Sequence, residues 1–175
     1  QMKEAAVLEP SHAFGEASKP WALTGAEGRP SRNIRSMYLE GDDQEQLNWT
    51  LQEKYKRIER EEQKFESFLV EDADRVIVAF GIAARIALSA VHLARARGIK
   101  VGLFRPISLW PYPVAGLRAL SEQINKLLVV ELNAGQMLED VRAFASPKAS
   151  VSFYGRPGGG LPTVRQILEK IEEMQ

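Results

Sequence analysis

Apolar positions along the chain follow no rhythm at first, then a helical one, then runs and helices in turn. Residues 1–43 are punctuated by Pro10, Gly15, Pro20, Gly25, Gly28, Pro30 and Gly41, too often for a long helix or strand. Trp21, Leu23, Ile34, Met37, Tyr38 and Leu39 are nevertheless too many apolar side chains for a flexible spacer. This segment therefore reads as a leader or linker from a preceding domain, lying along a folded surface. Leu47, Leu51, Tyr55 and Ile58 then repeat at three- and four-residue intervals, predicting an amphipathic helix over 44–64 with Asp42 or Asp43 as its cap. Phe65–Val70 reads either as a continuation of that stripe or as a short strand.

From Arg75 the order is regular. Val76–Phe80 is a wholly apolar run ending at Gly81, and Ala83–Arg97 is a helix with Ala84, Ala87, Ala90, Val91 and Ala94 on one side and Gly98 as its stop. Val101–Phe104 is a strand, and Val114–Gln123 a helix entered through Pro113. Leu127–Glu131 and Val151–Tyr154 are strands, followed by helices over about 136–144 and over Pro162–Glu173. Strands apolar throughout are covered on both faces, and helices between them indicate right-handed crossovers. Residues 75–175 are thus predicted to form a three-layer α/β/α domain on a parallel sheet.

Composition narrows the chemistry. A chain of 175 residues with 45% hydrophobic content forms one ordinary domain with a real core. The sequence has no cysteine, which excludes disulfides, a Cys-ligated zinc site, an iron–sulfur cluster held by this chain and a cysteine nucleophile. No run approaches the roughly 18 apolar residues of a membrane span. The opening Gln1-Met2-Lys3-Glu4 is no signal peptide and reads as the start of an internal fragment. Net charge is zero, so nucleic acid is not an expected partner. The charge is nevertheless uneven, with 16 acidic and 10 basic side chains in residues 1–74 against 7 and 13 in residues 75–175. This is either ordinary surface charge or a basic half facing an acidic partner or a phosphate-bearing ligand. Arg29, Arg32 and Arg35 form a small cluster able to meet an anion.

Candidate chemistry is sparse. His12 lies in the leader, and His92 falls on the polar side of its helix, as a solvated surface residue would. There is no Ser/His/Asp set with a nucleophile elbow and no HExxH spacing, so neither a catalytic residue nor a metal site is expected. Ligands of open parallel sheets gather beyond the carboxyl ends of the strands, which directs attention to four loops. Gly81 ends the first apolar run at the proposed switch point, where the chain must turn sharply. Glu131, Asn133 and Gln136 bring polar side chains to a crevice. Glu131 is read as a buried hydrogen-bonding group or a partner contact, and Asn133-Ala134-Gly135 as a turn. The loop from Gly155 through Arg156 to Pro162 joins a strand to a helix and is read either as a rigid turn or as a phosphate cradle. It lacks the P-loop lysine and the GxGxxG spacing. Ile107–Pro113, with Trp110 and Tyr112, places large apolar side chains in a loop, read either as a partly exposed subunit or domain interface or as a segment whose Trp110 folds back over the edge of its own sheet.

Four of these stretches carry a resemblance. Glu71–Gly81, Arg105–Pro113, Val129–Met137 and Gly155–Pro162 together resemble the second domain of the alpha subunit of 2-oxoacid:ferredoxin oxidoreductases, a domain similar to the C-terminal domain of transketolases. Lys19–Gly25 and the helix around Lys54-Tyr55 resemble most the branched-chain, 2-oxoisovalerate type. The resemblance implies a mixed sheet of about five strands with one antiparallel edge strand at Phe65–Val70. It divides the chain into a leader over 1–43, a helix over 44–64 and the transketolase C-terminal-like domain over 65–175. It also implies a structural and assembly role in a cytoplasmic, oligomeric complex that converts a 2-oxoacid to its acyl-CoA while reducing ferredoxin. Thiamine pyrophosphate, Mg2+, [4Fe-4S] clusters and coenzyme A would belong to the whole complex, none of them bound by this fragment. The other readings are the equivalent domain of a transketolase or 2-oxoacid dehydrogenase, and a free-standing nucleotide-binding α/β protein.

Overall fold

Side-chain parity along the strands sets the architecture. In the computed structural model, which describes residues 21–174, β2 (Arg75–Ala79) and β4 (Lys126–Glu131) are central, and their inner residues alternate between two cores. Ile77, Ala79, Leu128 and Val130 point to one face, where α2 (Gly81–Ala96) and α5 (Val164–Glu172) pack. Val76, Val78, Leu127 and Val129 point to the other, under α3 (Val114–Gln123) and α4 (Gln136–Phe144). Both sets are essentially solvent-free, so each strand contributes to two hydrophobic layers.

The sheet also contains β1 (Phe65–Phe68), β3 (Val101–Pro106) and β5 (Ser150–Gly155), in the order β1-β3-β2-β4-β5. All neighbours are parallel except β1, which runs antiparallel to β3 with Phe65 opposite Pro106 and Phe68 opposite Leu103. The mixed five-stranded sheet expected from the resemblance is therefore present. The β1 edge is fastened by the Phe65 ring, stacked on Phe104 at 4.9 Å. A Cβ at Gly116 would stand 2.5 Å from the Phe65 ring, so that glycine is what lets α3 lie this close.

The chain forms two compact units, residues 1–50 and 51–175, which divide within α1 (Gly41–Glu61). His12 and the Lys19-Pro20 pair lie outside the described residues. In the first unit, Trp21, Leu23, Ile34, Met37 and Leu39 are exposed. Of the arginine cluster, Arg32 Nη1 donates to the Ala22 carbonyl at 2.6 Å and Arg29 Nη1 to the Pro30 carbonyl at 3.0 Å. The helix α1 starts at Gly41, earlier than the periodicity predicts, because Asp42 and Asp43 lie inside its first turn, where they complement the helix dipole, rather than capping it. It buries no residue.

Two other boundaries differ instructively. Helix α5 begins at Val164, not Pro162, because Thr163 and Gln166 form a reciprocal capping box. That Thr-x-x-Gln signature is visible in the sequence. Helix α2 starts at Gly81 rather than Ala83, directly after the strand, with Gly81 at φ +57°. A Cβ on Gly81 would meet nothing within 4 Å. Backbone strain alone therefore restricts the position. Gly81→Val is expected to lower stability by about 1–3 kcal/mol, read as a shifted urea midpoint with an unchanged slope. An unchanged midpoint would show that valine accepts this backbone without strain. At the opposite end of β2, Arg75 Nη1 donates to the carbonyls of Ile171 and Met174 at 3.0 and 2.8 Å, tying the strand's start to the end of α5.

Candidate functional site

Helix α4 begins at Gln136, five residues after the last residue of β4, and its first N–H groups need acceptors. Glu131, the last residue of β4, supplies them from a fully buried position. Its Oε2 accepts from the backbone N–H of Met137 at 2.9 Å and from Asn133 Nδ2 at 3.0 Å, and its Oε1 accepts from the N–H of Leu138 at 3.0 Å. Asn133 Oδ1 in turn accepts from the N–H groups of Gly135 at 2.7 Å and Gln136 at 3.0 Å. Four consecutive N–H groups are thus held by two side chains. Gly135 closes the turn at φ +110°, a backbone that favours glycine.

A helix N-terminus at a strand end is the usual seat for phosphate. Here a carboxylate of the chain itself occupies it, and the hydrogen bonds and the positive end of the helix offset its burial. Glu131 is thus beyond a partner's reach and is not a contact residue. Gln136 contributes its backbone, while its side chain is exposed. An incoming diphosphate does not fit this end of α4 unless Glu131 is displaced.

The glycine loop is closed in a different way. The N–H of Arg156 donates to the Glu131 carbonyl at 3.0 Å, joining the ends of β4 and β5. Its guanidinium reaches Gln166 Oε1 at 3.4 Å and lies against Gly160. Gly158 and Gly159 turn the chain at φ +74° and +82°, and the capping box holds the start of α5. The structure therefore brings Glu131, Asn133, Gln136 and Arg156 into one neighbourhood. Gly81 stands at the end of β2, where the connections switch sides of the sheet, outside the hydrogen bonds of this network.

The β3–α3 loop divides its aromatics. Trp110 is 57% exposed and meets Tyr55 of α1 edge-on at 5.7 Å. Ile107 and Leu109 are exposed beside it. Tyr112 departs from the expectation of an exposed pair: it is 6% exposed and its ring stacks on Phe144 of α4 at 6.1 Å. That ring comes from 32 positions further along, so nothing near Tyr112 in the sequence signals the inward turn. Burial, with the Asp140 and Glu131 carboxyls as lesser causes, holds the Tyr112 phenol well above its ordinary range. Its hydroxyl finds no hydrogen-bond partner among the described residues. Asp140, absent from the sequence reading, is also shifted upward, by burial first and then by Glu139 and Glu131. Among the described residues, no group of three or more His, Cys, Asp or Glu could hold a metal ion, and no helix is long and apolar enough to cross a membrane.

Known proteins share both the sequence and this topology. The ketoisovalerate oxidoreductase subunit VorB of Methanothermobacter thermautotrophicus is 45% identical over 154 residues, covering 88% of this chain and 44% of that subunit. The chain thus spans less than half the length of this curated relative. The 2-oxoglutarate:ferredoxin oxidoreductase of Magnetococcus marinus superposes with a TM-score of 0.70 at 25% identity, over 88% of this chain and 30% of its own. A split-gene transketolase superposes with a TM-score of 0.53 at 21% identity, over 63% of this chain and 41% of its own, which reflects a shared fold. The family model described as pyruvate:ferredoxin oxidoreductase core domain II matches residues 73–167. These residues run from the turn before β2 into α5 and include the β4–α4 corner, and the chain belongs to that family of 2-oxoacid:ferredoxin oxidoreductase domains.

Proposed function

We propose that this chain serves as the non-catalytic, assembly-bearing second domain of a 2-oxoacid:ferredoxin oxidoreductase. In this reading residues 1–43 lead from a preceding domain, 44–64 form the connecting helix, and 65–175 form the transketolase C-terminal-like domain. The complete enzyme oxidatively decarboxylates a 2-oxoacid to its acyl-CoA and passes the electrons to ferredoxin. The relative named a ketoisovalerate oxidoreductase subunit supports a branched-chain substrate. The relative solved with 2-oxoglutarate, coenzyme A and succinyl-CoA supports the acyl-CoA product.

One observation carries the non-catalytic part of the proposal. The phosphate seat at the β4–α4 corner is filled by Glu131 and Asn133, whose bonds use the N–H groups of residues 135–138. Thiamine pyrophosphate and its Mg2+ therefore have no fitting site at that corner, and a chain without cysteine cannot ligate the [4Fe-4S] clusters. The cofactors are assigned to other parts of a cytoplasmic, oligomeric complex. Trp110, with Ile107 and Leu109, gives this domain an exposed apolar surface suited to those neighbours.

The test is an activity assay of the purified 175-residue chain. It contains 2-oxoisovalerate, coenzyme A, thiamine pyrophosphate, Mg2+ and a viologen dye as electron acceptor. No acyl-CoA is expected. Turnover by the chain alone would overturn the assignment.

A further inference from the structure

Beneath the exposed Trp110 lies a cleft of about 380 Å³ that the β4–α4 network does not use. Trp110, Tyr112 and Phe144 form aromatic walls, and Glu59, Gln63 and Asp140 supply the polar groups. None of its lining residues is basic. Neither Glu59 nor Asp140 makes an ion pair with any described residue. The cleft thus combines two carboxylates without counter-charge, flat ring surfaces and an apolar rim in which Leu109 and Trp110 are exposed.

We propose that this cleft receives an arginine side chain from another subunit of the complex. A guanidinium is planar, is weakly hydrated, stacks on aromatic rings and donates to carboxylates in a fixed fork. An anion would be repelled by Glu59 and Asp140, and a purely apolar group would leave both carboxyls partly desolvated without a partner. The rim decides for a polypeptide over a small free cation, because Leu109 and Trp110 remain to be covered after the charge is met. The upward shift of Asp140, caused by burial and by Glu139 and Glu131, points the same way, since an arriving cation would relieve it. The occupant's origin rests on the functional reading above, but the chemistry of the cleft does not.

The 175-residue chain is titrated with N-acetyl-arginine amide and, separately, with its neutral isostere N-acetyl-citrulline amide. The Trp110 indole and Val114 methyl signals are followed by NMR. The arginine compound is expected to bind about tenfold more tightly than the citrulline compound, about 1.4 kcal/mol. Asp140→Asn and Glu59→Gln should each reduce that preference several-fold. Asp140→Asn should at the same time raise the thermal midpoint near neutral pH, because burial and the Glu139 and Glu131 carboxyls make ionisation of Asp140 less favourable in the folded chain than in the unfolded one. Loss of binding with a gain of stability is a pairing that general structural damage does not produce. Equal response to both compounds, or none, would overturn the proposal. So would ligand-free shifts that grow with protein concentration, which would place a second copy in the cleft. None of these results bears on the turnover assay, and turnover by the chain alone would leave the cleft's chemistry intact.

Discussion

Glu131→Ala is expected to cost the domain about 3–5 kcal/mol, a large part of the 5–15 kcal/mol that holds a typical domain folded. The substitution strips the N–H groups of Met137 and Leu138 of their acceptor in a region closed to solvent. Each stripped group costs about 1–3 kcal/mol, and the void left by the carboxyl adds to this. Asn133 loses the partner of its Nδ2, so its hold on Gly135 and Gln136 should loosen as well. Glu131→Gln is expected to recover little, because its amide must turn one N–H toward a backbone N–H. Urea denaturation followed by circular dichroism measures both variants. A midpoint within error of the parent would mean that α4 finds other acceptors at its start.

Gly155→Ala should cost about 1–3 kcal/mol, as expected when atoms are forced into a filled core. The new Cβ would overlap the Asn133 carbonyl oxygen and stand 2.5 Å from Cζ of Phe153. The ring can turn aside. The carbonyl cannot easily do so, because the Asn133 side chain is fixed by Gly135, Gln136 and Glu131. The same network is thus damaged from the β5 side. The double variant Glu131→Ala, Gly155→Ala should accordingly lose less stability than the sum of the two singles, since the first has already freed the Asn133 turn. Strict additivity would show that Gly155 acts through Phe153 alone.

The parallel core of the fold was legible because β2 and β4 are apolar on both faces, a pattern that requires cover on each side. The antiparallel β1 was not legible from its own residues. It has only four residues, mostly exposed, and its place is set by the contact of Phe65 with Phe104 and Gly116. At the β4–α4 corner, sequence identified the participants, because Glu131, Asn133 and Gly135 are close neighbours with strong local preferences. It could not show that Glu131 reaches past them to Met137 and Leu138, which depends on where the helix starts. The cleft was invisible for a different reason. Glu59 comes from α1, Tyr112 from the loop before α3, and Asp140 and Phe144 from α4, so only the folded chain brings them together.

Glu131 also acts as a marker of alignment. It is the last residue of β4 and shares its face with Leu127 and Val129, the face that α4 covers. Slipping β4 by one residue against its neighbours would turn every side chain of the strand to the opposite layer. The carboxylate would then be carried into the apolar layer of α2 and α5, away from the N–H groups of Met137 and Leu138 that accommodate it. The continuous apolar run of Leu127, Leu128, Val129 and Val130 discriminates poorly between such alignments, because either face buries hydrocarbon. A single charged residue at the strand's end gives the misaligned sheet a penalty that the aliphatic residues cannot supply.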